Sequence, residues 1–207
     1  MSFTFKKVPS LLVAAALSAL LVTPAAAKDV PITSCDTLAT HPEDPDKVTA
    51  GVPRAKINRP EAIAACRQAV AEYPDTPRFK YQLSRVLFYD GQEKEGVERM
   101  RGAAETGYPQ AEFVYGLFIT NKRNFAPTDI CLAERFWKAS AHGGRHAATV
   151  NYVRFAEEGQ FDKCGPLASK AEMKDLLAKA RTAMTSYYER LLVDNLAQDL
   201  EKDQKLK

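Results

Sequence analysis

Thr106-Gly107-Tyr108-Pro109-Gln110-Ala111 and His142-Gly143-Gly144-Arg145-His146-Ala147 are two copies of one turn. Each follows a helix end made of small residues, Gly102-Ala103-Ala104-Glu105 and Lys138-Ala139-Ser140-Ala141, and Gly143 lies 36 residues after Gly107. An earlier turn, Thr76-Pro77-Arg78-Phe79, precedes Tyr108-Pro109-Gln110-Ala111 by 32. Self-similarity at this length marks helical hairpins that stack because none can bury its apolar side alone. The stretch from Thr76 to Gly159 therefore predicts an all-α fold, an α-solenoid of about three hairpins.

The helices follow from apolar spacing and punctuation. Asn58-Arg59-Pro60-Glu61 predicts a helix start with a capping box, and the helix stops before Tyr73-Pro74. Thr76 is read as the next cap, ahead of Phe79, Leu83, Val86 and Leu87 on one stripe, with Asp90-Gly91 as the stop. Val97, Met100, Ala103 and Ala104 share one side of a third helix, Lys94 to Glu105. Pro109 opens a fourth with Ala111, Val114, Tyr115 and Phe118. After a loop from Asn121 to Thr128, Thr128 or Asp129 caps a fifth helix carrying Leu132, Phe136 and Ala139, with Trp137 beside them. Arg145 to Glu158 is the sixth, carrying Ala148, Tyr152 and Phe155.

Beyond Cys164-Gly165-Pro166, Ser169-Lys170-Ala171-Glu172 is a second capping box. Met173, Leu177, Ala180, Met184, Tyr187 and Leu191 follow at steps of 4, 3, 4, 3 and 4. That stripe predicts one long helix of about 30 residues, roughly 45 Å. It would cap the last hairpin, or serve as a coiled-coil arm through which a homodimer forms. Asp199 to Lys207 is charged and expected to fray.

Outside the repeats, composition sets the address. Lys6 and Lys7, the apolar run from Leu11 to Val22 and Pro24-Ala25-Ala26-Ala27 read as a secretory signal over residues 1–27, cut after Ala27. The run is short for a membrane span, and nothing later is apolar enough to make one. Export to the periplasm or beyond is the expectation. Removing Lys6 and Lys7 from the 29 basic residues leaves 27 against 26 acidic ones, a balance that gives no electrostatic case for nucleic acid. Residues 28–59 carry Pro31, Pro42, Pro45 and Pro53 and are read as a Pro-rich segment packing Val48, Val52 and Ile57 over the first helix. Residues 60–165 form the hairpin domain, and 166–207 the long helix and tail.

Four cysteines, an even count in an exported chain, predict disulfides. Of three pairings, Cys35–Cys66 and Cys131–Cys164 are preferred, because each joins segments the fold would bring together. Cys131, His142, His146 and Cys164 are a rival zinc set, weakened by Gly143-Gly144, which breaks the helix between the two histidines. No nucleophile–base arrangement, phosphate-cradling glycine loop or zinc-helix motif stands out, so neither an enzyme nor a cofactor is expected.

Pro109-Gln110-Ala111-Glu112-Phe113-Val114-Tyr115-Gly116 and Ala133-Glu134-Arg135-Phe136-Trp137-Lys138-Ala139-Ser140-Ala141-His142-Gly143 resemble the two helices of a Sel-like repeat, a branch of the tetratricopeptide superfamily. That repeat runs Ala-x-Ala-x-x-x-Leu-Gly, a turn, Ala-x-x-Trp-x-x-x-Ala-Ala and a Gly turn. Gly96 to Gly107 is a second, looser copy, and Ser84 and Tyr152 stand where the family has Gly. The segment from Cys35 to Cys66 is similar to a module found ahead of such repeats in exported bacterial proteins. The resemblance implies a scaffold or adaptor binding another protein or peptide; the rival it admits is a cell-wall ligand-binding protein or hydrolase. In such solenoids the first helix of each hairpin lines the concave side. Tyr81, Arg85, Tyr89 and Phe113, with Arg154 further along, are the candidate binding residues, the aromatic ones having core filling as their alternative role.

Overall fold

Proline placement starts three of the helices. In this computed structural model, which describes residues 30–202, Arg59–Glu72 (α2), Pro77–Tyr89 (α3) and Pro109–Thr120 (α5) each hold Pro within the first two positions, where a missing N–H costs nothing. A short helix, Ser34–Ala39 (α1), precedes them. Glu93–Ala104 (α4), Ile130–His142 (α6), His146–Glu157 (α7), Lys170–Ala183 (α8) and Tyr187–Lys202 (α9) complete the described residues, which contain no strand. The signal-like residues 1–27 and the tail from 203 lie outside them.

The caps follow expectation only in part. Ser169 Oγ accepts from Glu172 N at 3.1 Å, and Asp129 Oδ1 accepts from Cys131 N at 3.0 Å. Thr76 and Asn58 make no side-chain cap; Asn58 Nδ2 instead donates to Glu61 Oε2 at 2.9 Å. At the repeated turn, Gly107 takes φ +79° and Gly144 takes φ +84°, whereas Gly143 stays at φ −72°. Gly144 is thus the counterpart of Gly107, and the structural spacing is 37 (144 less 107), one more than Gly143 gives. On that spacing Val153, not Tyr152, stands in the place of Gly116. Lys122, at φ +50°, takes the same left-handed role after α5, which is how that loop closes without glycine.

Each helix packs against the next in sequence, from α1·α2 through α8·α9. Helix α5 crosses α6 at Gly116. A Cβ at Gly116 would fall on the indole of Trp137, whose Nε1 donates to Phe113 O at 3.0 Å and whose ring meets Phe155 edge-on at 4.9 Å. At the α3–α4 crossing, Ser84 Oγ donates to Gly96 O at 2.6 Å. Tyr152 is fully buried and its hydroxyl accepts from Ala168 N at 2.8 Å, fixing the strap that leads into α8.

The bonded pairs are Cys35–Cys66 and Cys131–Cys164, with Cα atoms 4.6 and 5.1 Å apart and no cysteine free. The first ties α1 to α2, the second the head of α6 to the segment after α7. The second pairing takes both cysteines out of the rival zinc set, and His142 Nε2 pairs with Glu172 Oε1 at 3.0 Å. Bridges spanning 31 and 33 residues are worth about 2–4 kcal/mol each. They point to an oxidising compartment outside the cytoplasm. No helix among the described residues is long and apolar enough to cross a membrane.

The expected single C-terminal helix is two. Met184 takes ψ 131°, and Met184-Thr185-Ser186 turns the chain so that α9 lies back on α7 and α8. Met173, Leu177 and Ala180 are buried as the stripe predicts, but Tyr187 and Leu191 are exposed. Val193, Leu196 and Leu200 are the buried side of α9, and they join the core of α6–α8. A straight helix would leave those three in water; the reversal hides them, and Arg181 clamps it with Nε and Nη2 on the two carboxylate oxygens of Asp194, at 2.5 and 3.1 Å. Val48 also departs from expectation, being exposed, while Val52 and Ile57 pack over α2 and α3.

Two predictions follow from this packing. Gly116→Ala should lower unfolding free energy by ~1–3 kcal/mol through overpacking against Trp137, while Gly102→Ala, with nothing within 4 Å of the added carbon, should raise it by ~0.5–1 kcal/mol; urea midpoints of both variants check the pair. Burial pushes the carboxyl of Glu112 up to about 7. The folded chain then keeps a proton that the unfolded chain releases near its ordinary 4.5, so stability falls as pH rises from that value to about 7 and stays lower above it. Glu112→Gln should therefore gain melting temperature over the parent at pH 8 compared with pH 5, and an equal difference at both would refute the assignment.

Candidate functional site

The chain's own N-terminal segment is held by side chains from α3 and from the heads of α5 and α7. Between Thr40 and Pro53 it has neither helix nor strand, so its carbonyls need donors from elsewhere. Arg85 of α3, 3 % exposed, supplies three bonds at its two ends: Nη1 donates to Ala39 O, the last residue of α1, at 2.8 Å and to Thr40 O at 2.9 Å, and Nη2 to Val52 O at 2.8 Å. One turn earlier Gln82 donates through Nε2 to Thr40 Oγ1 at 2.8 Å and Asp36 Oδ1 at 3.1 Å. Arg78 donates to the same Asp36 oxygen at 3.0 Å and to Pro31 O at 2.9 Å. Asp36 is fully buried between them, a charge compensated on all sides.

Further along, the segment reaches the heads of α5 and α7. Asp44, 1 % exposed, accepts from Tyr108 OH at 2.7 Å and from Asp46 N at 3.0 Å. Burial raises its carboxyl, and burial, followed by the nearby Asp44 carboxylate, raises the Tyr108 phenol well above its usual range. Tyr81 accepts from Gln110 Nε2 at 3.2 Å. His41 is held at about 4 by burial and by the cations Arg85, Arg145 and Lys47. It is therefore neutral near pH 7, which fits its Nδ1 accepting from Glu43 N at 3.1 Å.

These contacts relocate the candidate surface residues. Tyr81, Arg85 and Phe113 lie on the expected helices but are buried, Tyr81 and Arg85 underneath the segment. Tyr89 is half-buried, with the guanidinium groups of Arg54 and Arg85 over its ring at 4.6 and 5.3 Å. Arg154 is exposed over Phe155 at 5.2 Å, apart from the others. The five do not form one open face, because residues 36–52 cross α3 and reach α5 and α7 instead of stopping over the first helix. Sequence reading missed Arg78, Gln82, Tyr108, Gln110 and Arg145. The signal for the first two was present: Arg78, Gln82 and Arg85 recur at steps of 4 and 3, a polar stripe beside the apolar one of Phe79, Leu83, Val86 and Leu87.

Where the segment turns away, a cleft of about 490 Å³ remains. Its walls include Glu43 and Lys47 from the segment, Arg145 and His146 from the head of α7, Met184 from the α8–α9 break and Glu189 from the first turn of α9. Arg145 is 5 % exposed, with its guanidinium 4.9 Å from the centre of the Phe113 ring. Its Nη2 donates to Glu43 Oε2 at 3.3 Å, and its Nε is buried without a partner. Burial and Arg145 lower the imidazole of His146, against the opposing pull of Glu43 and Glu189. Lys47 spends its Nζ on Pro42 O at 2.7 Å. The arrangement suits recognition of a polar or anionic group of a small ligand, in the size range of ordinary ligand pockets. Among the described residues no group of three or more His, Cys, Asp or Glu is placed to hold a metal ion. The chain matches no protein-family model, no curated protein and no solved structure.

Proposed function

We propose that this is an exported, disulfide-stapled repeat protein of the Sel-like kind, a right-handed stack of hairpins acting as a protein- or peptide-binding scaffold in the bacterial envelope. Its action is docking, with no bond made or broken. The observation that carries this reading is the grip of α3 on main-chain carbonyls at the end of α1 and in the non-helical segment that follows it. Arg85 takes three main-chain carbonyls, and Gln82 and Arg78 take the side chains and carbonyls that flank them. Carbonyl recognition of that sort is indifferent to side-chain identity and is how a groove holds an extended peptide. Here part of the groove is filled in cis, and the open cleft by Arg145 continues it. An incoming chain would either use the cleft alone or displace residues 40–53, whose only covalent staple is Cys35–Cys66.

A second reading concerns a second copy of the chain. Tyr187, Tyr188, Leu191 and Leu192 are 66, 79, 42 and 44 % exposed and share the first turns of α9. An apolar patch on one helix pairs with itself across a two-fold axis. It replaces the straight coiled-coil arm, which the break at Met184 removes.

Arg85→Met should free the segment: amide exchange across residues 40–53 rises sharply and unfolding free energy falls by on the order of 3 kcal/mol, since charge-assisted bonds to buried carbonyls are lost. Unchanged protection there would remove the grip from the argument. Cross-linking in the native periplasm followed by mass spectrometry should recover one protein in equimolar yield; recovery of the chain alone would overturn the scaffold reading. Sedimentation decides the second copy, with Tyr188→Ser/Leu192→Ser expected to halve the mass of any dimer.

A further inference from the structure

The geometry at the head of α7 points to a carboxylate-binding site, in which Glu43 stands in for the ligand. Nε and Nη2 form one edge of a guanidinium, and a carboxylate set squarely on that edge takes both hydrogens. The chain itself contains the complete arrangement, at Arg181 and Asp194, with bonds of 2.5 and 3.1 Å. Arg145 has only half of it. Glu43 accepts from Nη2 at 3.3 Å, long for a charge-assisted bond, and Nε is left buried and unsatisfied. The side chain of Glu43 is 61 % exposed and that of Arg145 only 5 %, so the mobile partner is the acid and the fixed one is the base.

A second feature converges on the same place. Arg145 is the N-cap residue of α7, a helix of 12 residues, and its side chain makes no cap. Within the helix, Ala148 N and Thr149 N both return to Arg145 O, which leaves the first-turn N–H groups of His146 and Ala147 outside the ladder. Those donors and the positive end of the helix favour an anion. His146 and Ala147 also line the cleft, as Arg145 does. Glu43 and Glu189 border the same space, so a second negative charge on the ligand would meet like charge. One carboxylate is therefore the match, on a small acid or at the end of a peptide. This inference rests on the binding role proposed above and names the chemistry of its ligand.

The test uses the oxidised full-length exported chain and three probes, followed by calorimetry and by amide shifts of His146 and Ala147. N-acetyl-Ala-Ala with a free carboxylate should bind at least about tenfold more tightly than its C-terminal amide, the usual worth of a charge-assisted pair. Acetate is the third probe: affinity equal to the dipeptide's assigns the site to small acids, and weaker affinity assigns it to chain ends. Glu43→Gln removes the stand-in without touching the core and should tighten binding of the acid by about threefold or more. Arg145→Lys keeps the charge, loses the two-donor edge and should abolish the preference for acid over amide. Equal binding of acid and amide, no binding of either, or a Glu43→Gln chain that binds the acid no more tightly would each overturn the site. If a protein complex is still recovered from the periplasm in that case, the scaffold reading stands and only its ligand chemistry falls.

Discussion

Buried backbone without secondary structure must find donors, and in this protein one arginine gathers three main-chain carbonyls at once. The carbonyls of Ala39, Thr40 and Val52 converge on Arg85, which carries them at the cost of its own desolvation. The rest of the N-terminal architecture is arranged so that this exchange is favourable. Cys35–Cys66 brings the segment to α2, Val52 N returns to Thr40 O at 2.8 Å to close the loop, and Asp36 balances the nearby cations while bracing Arg78 and Gln82. Remove the guanidinium and Ala39 O and Val52 O lose its donors together, while Thr40 O is left with Val52 N alone, a larger penalty than the loss of any one contact.

The same demand explains what could and could not be read from the sequence. The helices are legible because helix punctuation is local: Pro109 at a first turn, Gly107 where the backbone turns left-handed, a 3–4 apolar stripe between. Both disulfides are legible for a similar reason, since each joins segments only 31 or 33 residues apart that consecutive helices bring together. The cis-bound segment is not local. Asp44 meets Tyr108 across 64 residues and Glu43 meets Arg145 across 102, and no spacing rule links such partners. The residues expected on an open groove were placed on the right helices, but with Tyr81 and Arg85 beneath a lid whose path only packing decides. Gly143 and Gly144 illustrate a finer ambiguity: two adjacent glycines fit the same turn, and only φ separates the C-cap from the left-handed residue.

The break at Met184 belongs to the same class of effect. A stripe at steps of 4 and 3 describes one continuous helix as well as it describes two, and local propensity does not choose between them. The choice falls to Val193, Leu196 and Leu200, which lie off the stripe and can be buried only if the chain doubles back. Their burial leaves Tyr187 and Leu191 in water and brings Glu189 to the edge of the cleft. The wall of the candidate site is thus a by-product of where the last apolar residues had to go.

Arg85 and Arg145 make a comparison within one molecule. Both are buried guanidinium groups that meet the N-terminal segment, and both leave Nε without a partner. Arg85 loses little by it, because both of its terminal nitrogens are taken by main-chain oxygens that cannot move away. Arg145 has one long bond to a side chain that is mostly in solvent, next to a helix start with donors to spare. A structural arginine would be expected to resemble the first. One kept partly unsatisfied at the wall of a cleft is better explained by an acceptor that comes and goes, and Glu43 holds the position in the meantime.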